Sequence, residues 1–451
     1  MDALNQYLDL YRDHRDLIDL HSAPAINALR PEAFETLKDA TLPRPGSDNY
    51  ENVDLEAMLA PDYGLNIAKL NIDVNPAATF HCDVPRISPN PFLVVNDTFS
   101  ATRKSLDSLP EGVEIGSLKE FAEKDPDTFS KFYGKAADIK NPMVALDTML
   151  AQDGFYLRVK KGVKIEKPLQ LVNILQNGMP LMAVRRMLII IEENAEAKLL
   201  VCDHTQNPDI DFLALETVEI FVAENAEFDF YNLEESSSKT GRISTLYLTQ
   251  YADSRVVIDG MTLYNGTTRN EYYCRFTGEN ASLRLLGMGI EDEERSISTY
   301  SRISHDVPRC KSDELFKFSV DDYSRGAFTG RIYVAEGAVK TEAYQSNRNL
   351  VGSDNARMES KPELEIYNDD VKCSHGSAVG QLDRMQMFYM RTRGLDEPTA
   401  LLLLKQAFMA DIIDGVRVDA LRDRLHLLVE RRFAGASSAC ASCAGCKNET
   451  E

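Results

Sequence analysis

The stretch VEIFVAENAEFDF, Val218–Phe230, decides how the middle of this 451-residue chain is read. Val218, Ile220 and Val222 fall on alternate positions, and Phe228 and Phe230 flank Asp229 in the same way. Period-two alternation gathers side chains on one face of an extended strand, so the stretch reads as strand, turn, strand. The turn centres on Asn225, a residue type that tolerates left-handed or tight backbone.

The same turn recurs along the chain. It appears at Asn194 in IEENAEAKLL, at Asp253 in YADSRVV, at Asn280 in GENASLRL, near Lys311 in RCKSD and at Gly337 in VAEGAVKTE. Successive positions lie 31, 28, 27, 31 and 26 residues apart. Parallel strands need long crossovers, usually helical, unless the chain coils as a β-solenoid. No helical pattern separates these strands from about Gly154 to Glu365. Two architectures therefore stay open, a β-solenoid and an antiparallel sandwich with regular hairpin spacing.

The flanks are helical. Leu4, Leu8, Tyr11, Leu17, Ile18 and Leu20 recur near the helical period. LPRPGSDNYENVDL, Leu42–Leu55, reads as a loop. Helices are expected over Leu118–Tyr133 and Pro142–Gln152, the latter capped by Asn141 with Pro142 in its first turn. Towards the C-terminus one helix is expected over Asp383–Arg393, stopped by Gly394. A second follows Asp396 as cap. A third carries the stripe Val418, Leu421, Leu425, Leu428 and Val429. These helices are expected to cover only each other, which leaves them free to dock a partner. The expected division is an N-terminal helical region (1–153), a β core (154–382), a C-terminal helical domain (383–434) and a Cys-rich tail (435–451).

The formal net charge of -21 argues against a nucleic-acid or anionic-membrane binder, because phosphate contacts need clustered Lys and Arg. No run of 18 apolar residues is present to span a membrane. The N-terminus lacks a basic segment followed by an apolar run, as a signal peptide would show. Of eight cysteines, five are scattered and three crowd the last dozen residues, which is no disulfide framework. A cytoplasmic protein is expected.

Two stretches could carry chemistry. IYNDDVKCSHGSAVGQLDR, Ile366–Arg384, places Asp369, Asp370, Cys373 and His375 within seven residues. Cys373 and His375, two apart in a strand, would share a face and could ligate iron or zinc. Asp369 and Asp370 could orient the imidazole. A Cys–His nucleophile pair is chemically possible, but on spacing alone an ordinary turn with a small buried cysteine fits best. In the tail, Cys440, Cys443 and Cys446 form C-x-x-C-x-x-C, a spacing that lets three thiolates reach one metal or cluster. No P-loop, G-x-S-x-G, H-E-x-x-H or dinucleotide-binding pattern occurs in suitable context.

The longer block KPELEIYNDDVKCSHGSAVGQLDRMQMFYMRTRGL, Lys361–Leu395, resembles the C-terminal signature of the SufB/SufD iron–sulfur cluster assembly proteins, in its D-D-V-K-C-S-H form SufD more than SufB. DGFYLRVKKGVKIEKPLQLVNI, Asp153–Ile174, is similar to the family's entry into its core. The resemblance implies a right-handed parallel β-helix between helical ends. It implies a scaffold without turnover of its own, pairing with a SufB-like paralogue through the β-helix. It also implies docking of a SufC-like ABC ATPase through C-terminal helices, with Leu401, Leu404, Phe408, Ile412, Leu421 and Leu425 as candidate contacts. His375 becomes the candidate iron or cluster group, with Cys373 beside it. The cargo would be iron or an iron–sulfur cluster, held transiently at the interface; flavin in the complex stays open, as does a homodimer of the chain alone. Two features depart from the family pattern: Tyr50 stands in an N-terminal segment that commonly carries Trp, and the Cys-rich tail has no counterpart. The rival readings are a β-solenoid carbohydrate-active enzyme and a Cys–His hydrolase.

Overall fold

Residues Val218–Phe230 do not form a hairpin. In the computed structural model, which describes residues 3–70, 87 and 91–435, the strands on either side of Asn225 lie in different sheets. That resolves the choice left by the sequence. The chain is mainly β, 41% strand against 25% helix, with a β-solenoid of about eight turns and helices at both ends.

The N-terminal part holds helices α1 (Ala3–Leu20), α2 (Pro24–Asn27), α3 (Arg30–Lys38), α4 (Leu55–Leu59), α5 (Arg103–Asp107), α6 (Leu118–Lys124), α7 (Pro126–Phe132) and α8 (Pro142–Leu150). It is not purely helical, as expected from sequence, because β1 (Phe92–Val95), β2 (Thr98–Ser100) and β3 (Val113–Ser117) lie within it. The single helix expected over Leu118–Tyr133 is two. Pro126 disfavours helical backbone at the residue before it, and Asp125 instead caps α7, its carboxylate accepting from Thr128 N–H. Asn141 caps α8 as expected.

The solenoid follows, with β4 (Gly154–Val159), β5 (Leu169–Leu175), β6 (Leu181–Ile191), β7 (Glu196–Thr205), β8 (Phe212–Val222), β9 (Glu227–Glu235), β10 (Thr240–Gln250) and β11 (Arg255–Tyr264). It continues through β12 (Thr267–Phe276), β13 (Ser282–Glu291), β14 (Ser296–His305), β15 (Lys311–Val320), β16 (Arg325–Val334), β17 (Thr341–Val351), β18 (Arg357–Ile366) and β19 (Val371–Gly380). From β4 onward each strand pairs in parallel with the strands two places away, without register shift over most of the stack. The even strands from β4 to β18 with β3 form a nine-stranded sheet; the odd strands from β5 to β19 with β1 and β2 form a ten-stranded one. Inward residues of both sheets, among them Val218, Ile220, Val222, Phe228 and Phe230, make one continuous core. The interior also holds charge: Arg185 pairs with Asp203 at 3.0 Å, and Arg242 lies 3.4 Å from Glu216. Asn173 and Asn232 donate to the Asp203 carboxylate, so these buried charges are met from several sides.

The turns are a ladder. Asn194, Asn225, Asp253 and Asn280 have left-handed backbone, with φ of 56, 56, 56 and 61°. The next rungs are Arg309 (φ 62°) and Lys340 (φ 58°), not Lys311 and Gly337; Lys311 opens β15 instead. At each rung the backbone N–H donates to a carbonyl of the next coil, Asn225 to Ala252 at 2.9 Å and Arg309 to Val339 at 2.9 Å. Those bonds offset the strain where the residue is not Asn or Asp. The Asn225 amide also donates to the Asn194 side chain at 2.6 Å. Asn225→Val is expected to lower stability by about 2 kcal/mol, because a β-branched side chain resists left-handed φ and the side-chain bond is lost. Asn225→Gly should stay within about 0.5–1 kcal/mol of the parent, since glycine takes that backbone freely. Urea unfolding of the pair checks both.

The C-terminal helices are α9 (Arg384–Thr392), α10 (Glu397–Ile413) and α11 (Asp419–Phe433), with Asp383 and Asp396 as caps and Gly394 left-handed at φ 91°. They do not cover only each other. Leu421, Leu425, Leu428 and Val429 pack with Met409, Ile412 and Ile413 onto the outer face of the ten-stranded sheet, against Tyr231, Met261, Leu286 and Met288. Ionic contacts fasten the same face: Lys317 with Asp411, Arg417 with Asp229, Arg432 with Asp292, and Lys405 with Asp321 at 3.0 Å. The N-terminal helices cover the nine-stranded sheet. No helix among the described residues is long and apolar enough to cross a membrane.

Candidate functional site

The motif around His375 lies where the solenoid ends. β19 is an edge strand of the ten-stranded sheet and β18 an edge strand of the nine-stranded one. Among the described residues no further coil covers them, so most of β19 is exposed, whereas the inward residues of β17 beneath it are buried.

Strand parity sets the roles. Val371, Cys373, His375, Ser377 and Val379 face one way, towards the axis. Cys373 stands in register with Ala343 and packs against the small apolar cluster of Ile332, Val334, Ala338 and Ala343. Burial pushes its thiol up, with the Ala343 backbone contact opposing. A thiol held protonated is a poor nucleophile and a poor ligand until its surroundings change. His375 stands in register with Gln345 and is exposed. Gln345 in turn donates to the buried Glu314 carboxylate at 2.7 Å. Burial pushes the Glu314 carboxyl up to about 7, with Ser301 and Gln345 as its hydrogen-bond donors. A polar column, Glu314, Gln345, His375, thus runs out of the core to the open end. Beside it Ser377 shares a 2.6 Å hydrogen bond with Ser360, which donates to Asn347 at 2.6 Å, tying the two edge strands together.

Asp369 and Asp370 do not join His375. They lie just before β19, where the Asp370 carbonyl accepts from the N–H of the last rung, Lys340, at 2.6 Å. Five residues of strand, about 16 Å, separate Asp370 from His375. The expected orienting role for the two carboxylates is therefore not met. Among the described residues no group of three His, Cys, Asp or Glu side chains converges to hold a metal ion. Cys440, Cys443 and Cys446 lie outside the described residues.

The docking candidates divide. Ile412, Leu421 and Leu425 are buried against the sheet and offer no surface, because the helices cover the solenoid as well as each other. Leu404 and Phe408 are half-buried. Leu401 is exposed, and so are Leu403 and Leu427, which the reading of the apolar stripe missed. That reading also missed a patch beside β19, where Ile366, Tyr367, Val379, Met385, Phe388 and Tyr389 are exposed and α9 has no buried residue. Its signal was present, since aromatic and Met residues cluster in MQMFYM, but a helical pattern alone does not say whether anything covers it.

Comparison with known proteins decides what this architecture is. The family described as SUF system FeS cluster assembly, SufBD core domain, matches residues 174–408, and the SufBD protein N-terminal region matches residues 1–171. The chain belongs to the SufBD family. An iron–sulfur cluster assembly SufBD family protein of Synechocystis is 27% identical over 89% of this chain and 90% of its own length. SufD of Escherichia coli is 30% identical over 64% of this chain and 69% of its own, and SufD of Bacillus subtilis 24% identical over 91% and 95%. The SufBD chain is thus an iron–sulfur cluster assembly protein similar to SufD, of a family of assembly scaffolds rather than catalysts. That sets aside the carbohydrate-active and Cys–His hydrolase readings.

Proposed function

We propose that the chain is the SufD-like subunit of a three-component scaffold. It pairs its open solenoid end with a SufB-like paralogue and presents its C-terminal helices to a SufC-like ABC ATPase, which supplies ATP hydrolysis. The observation that carries this reading is the uncapped end. Two parallel edge strands leave backbone groups unpaired beside an exposed apolar patch, an arrangement that natural proteins cover. Another β-solenoid of the same cross-section supplies matching edges. In the absence of that partner the same edge would pair two copies of this chain. Leu401, Leu403 and Leu427 are the exposed leucines available to the ATPase.

In this arrangement His375 is the polar side chain that the solenoid holds at the joint, where iron or the nascent cluster is the cargo. Cys373 sits one step inward, protonated, and gains access only if the last coil loosens. The exposed Asp369 and Asp370 have no part in the site.

Co-expression with a SufB-like and a SufC-like protein of the same source tests the assembly: a stable complex is expected, and failure to co-purify sinks the reading. Within that complex, His375→Ala should leave the subunits assembled and lower iron and sulfide incorporation about ten-fold or more. Normal incorporation in the variant would reject the residue-level claim while leaving the assembly claim standing.

A further inference from the structure

We propose that Gln345 is a positioning residue for the joint: its buried side-chain oxygen accepts a ring N–H of His375 and so turns the other ring nitrogen out towards the cargo. The proposal rests on the reading of His375 given above and names what holds the imidazole in place.

The contact follows from strand register. β17 and β19 run parallel, with Gln345 directly beneath His375 and both side chains on the inward face. Adjacent strands lie about 4.8 Å apart, so an imidazole standing over a side-chain amide is within hydrogen-bond reach of it. The amide is fixed from below. Its Nε2 donates to Glu314 at 2.7 Å, and Glu314 is itself held by the Ser301 hydroxyl. Gly330 opens the slot in which the amide lies, because a Cβ there would collide with the same nitrogen. With Nε2 committed to Glu314, Oε1 is the free end. Gln345 is 3% exposed, yet this oxygen has no hydrogen-bond partner among the described residues. A buried acceptor left bare is rare in a native fold and calls for a donor.

The neighbours sharpen the assignment. On β17 the Asn347 side-chain oxygen accepts from Ser360 and from Asn349. Asn349 also carries a bare oxygen, but it stands in register with Val379, whose side chain has no donor. On β19 Ser377 is taken up by Ser360, and Cys373 stands over Ala343. His375 is thus the ring donor in register with a bare acceptor. A histidine that ligates a metal commonly gives its second N–H to a carbonyl or carboxylate oxygen, which fixes tautomer and ring orientation. Glu314, Gln345 and His375 build that arrangement from the core outward.

The test uses the full chain with isotope-labelled histidine and a long-range proton–nitrogen spectrum, in which His375→Ala assigns the resonance among the seven histidines. Methionine keeps the length of the glutamine side chain and removes the acceptor. At a pH where the imidazoles are neutral, Gln345→Met is expected to change the His375 tautomer ratio about five-fold or more and to leave the other histidines as they were. Glu314→Met frees the amide without removing the acceptor. It should move the ratio in the same direction, and it serves if Gln345→Met folds poorly. In the complex with the SufB-like and SufC-like proteins, Gln345→Met should lower iron and sulfide incorporation about ten-fold. It should add nothing to the loss already caused by His375→Ala. A tautomer ratio unchanged in both variants overturns the proposal. So does a further loss in the His375→Ala background, which would place the role of Gln345 elsewhere. Normal incorporation in His375→Ala overturns the reading of His375 itself; the contact then stands or falls on the tautomer ratio alone.

Discussion

Arg186→Met is expected to cost about 3–5 kcal/mol of stability, a large share of the 5–15 kcal/mol by which proteins are folded. Arg186 is 1% exposed in its side chain, and its guanidinium is the joint between the N-terminal helices and the solenoid. It donates to Asp147 at 3.1 Å and Thr148 at 2.9 Å on α8, and to Glu219 at 3.0 Å on β8, and it lies 4.9 Å from the centre of the Tyr133 ring. Glu219 also accepts from the backbone N–H groups of Gly134, Ala136 and Ala137, so the loop after α7 hangs on the same carboxylate. Methionine fills similar volume but leaves Asp147 and Glu219 buried without a counter-ion. Even beside Arg186, burial holds the Asp147 carboxyl up at about 7. The loss arises from stranded charge rather than from a cavity, and a second substitution separates the two causes. Arg186→Met with Asp147→Asn should recover part of the loss, because one stranded carboxylate is gone. Equal urea midpoints for the single and double variants would point to packing instead.

This joint was invisible in the sequence, and the reason is general to the fold. What could be read were the local signals: alternation in Val218–Phe230, asparagine turns, the caps Asn141 and Asp396, and the stop at Gly394. Each depends on one residue and its own backbone. Partner choice among strands does not. Val218–Phe230 has the same alternation whether β8 folds back on β9 or stacks on β6 and β10, so parallel coiling came from the family resemblance and not from periodicity. The rungs Arg309 and Lys340 were displaced by two or three residues because their left-handed backbone is held by bonds to the next coil, which leave no mark on the local sequence. Residues with two tertiary allegiances failed for the same reason. Ile412, Leu421 and Leu425 stood as docking candidates because the sheet that buries them is more than a hundred residues away. Asp369 and Asp370 read as partners of His375 by proximity along the chain, but strand geometry carries them away from it.

Asp259→Asn is expected to stabilise the protein by about 2–4 kcal/mol at pH 8 and by little at pH 4. Asp259 lies on the face of β11 that the C-terminal helices cover, in register with Tyr231 and Leu286. It is fully buried, and neither carboxylate oxygen has a hydrogen-bond partner. Burial pushes its carboxyl up to about 8, with Arg284 opposing. The sign follows from linkage. In the unfolded chain the group titrates near 3.8, so below that pH both states are protonated and the neutral acid is tolerated. Between about 4 and 8 the folded state keeps a proton that the unfolded state has released, so stability falls by up to about 1.4 kcal/mol per pH unit. Above 8 the slope from this group ends. Asparagine keeps the shape and removes the titration, so its curve from pH 5 to 8 should be shallower than the parent's by about 1 kcal/mol per unit. Glu291, likewise raised to about 8 by burial, stays in the variant, so a residual slope remains. Parallel curves for parent and variant would mean that Asp259 is ionised in the fold with a partner. Because Tyr231 and Leu286 also seat α10 and α11, the gain should be largest in those helices. Amide exchange across Leu421–Val429 is expected to slow at pH 8 in the variant, while exchange in β5, whose residues lie outside that cluster, stays as it was.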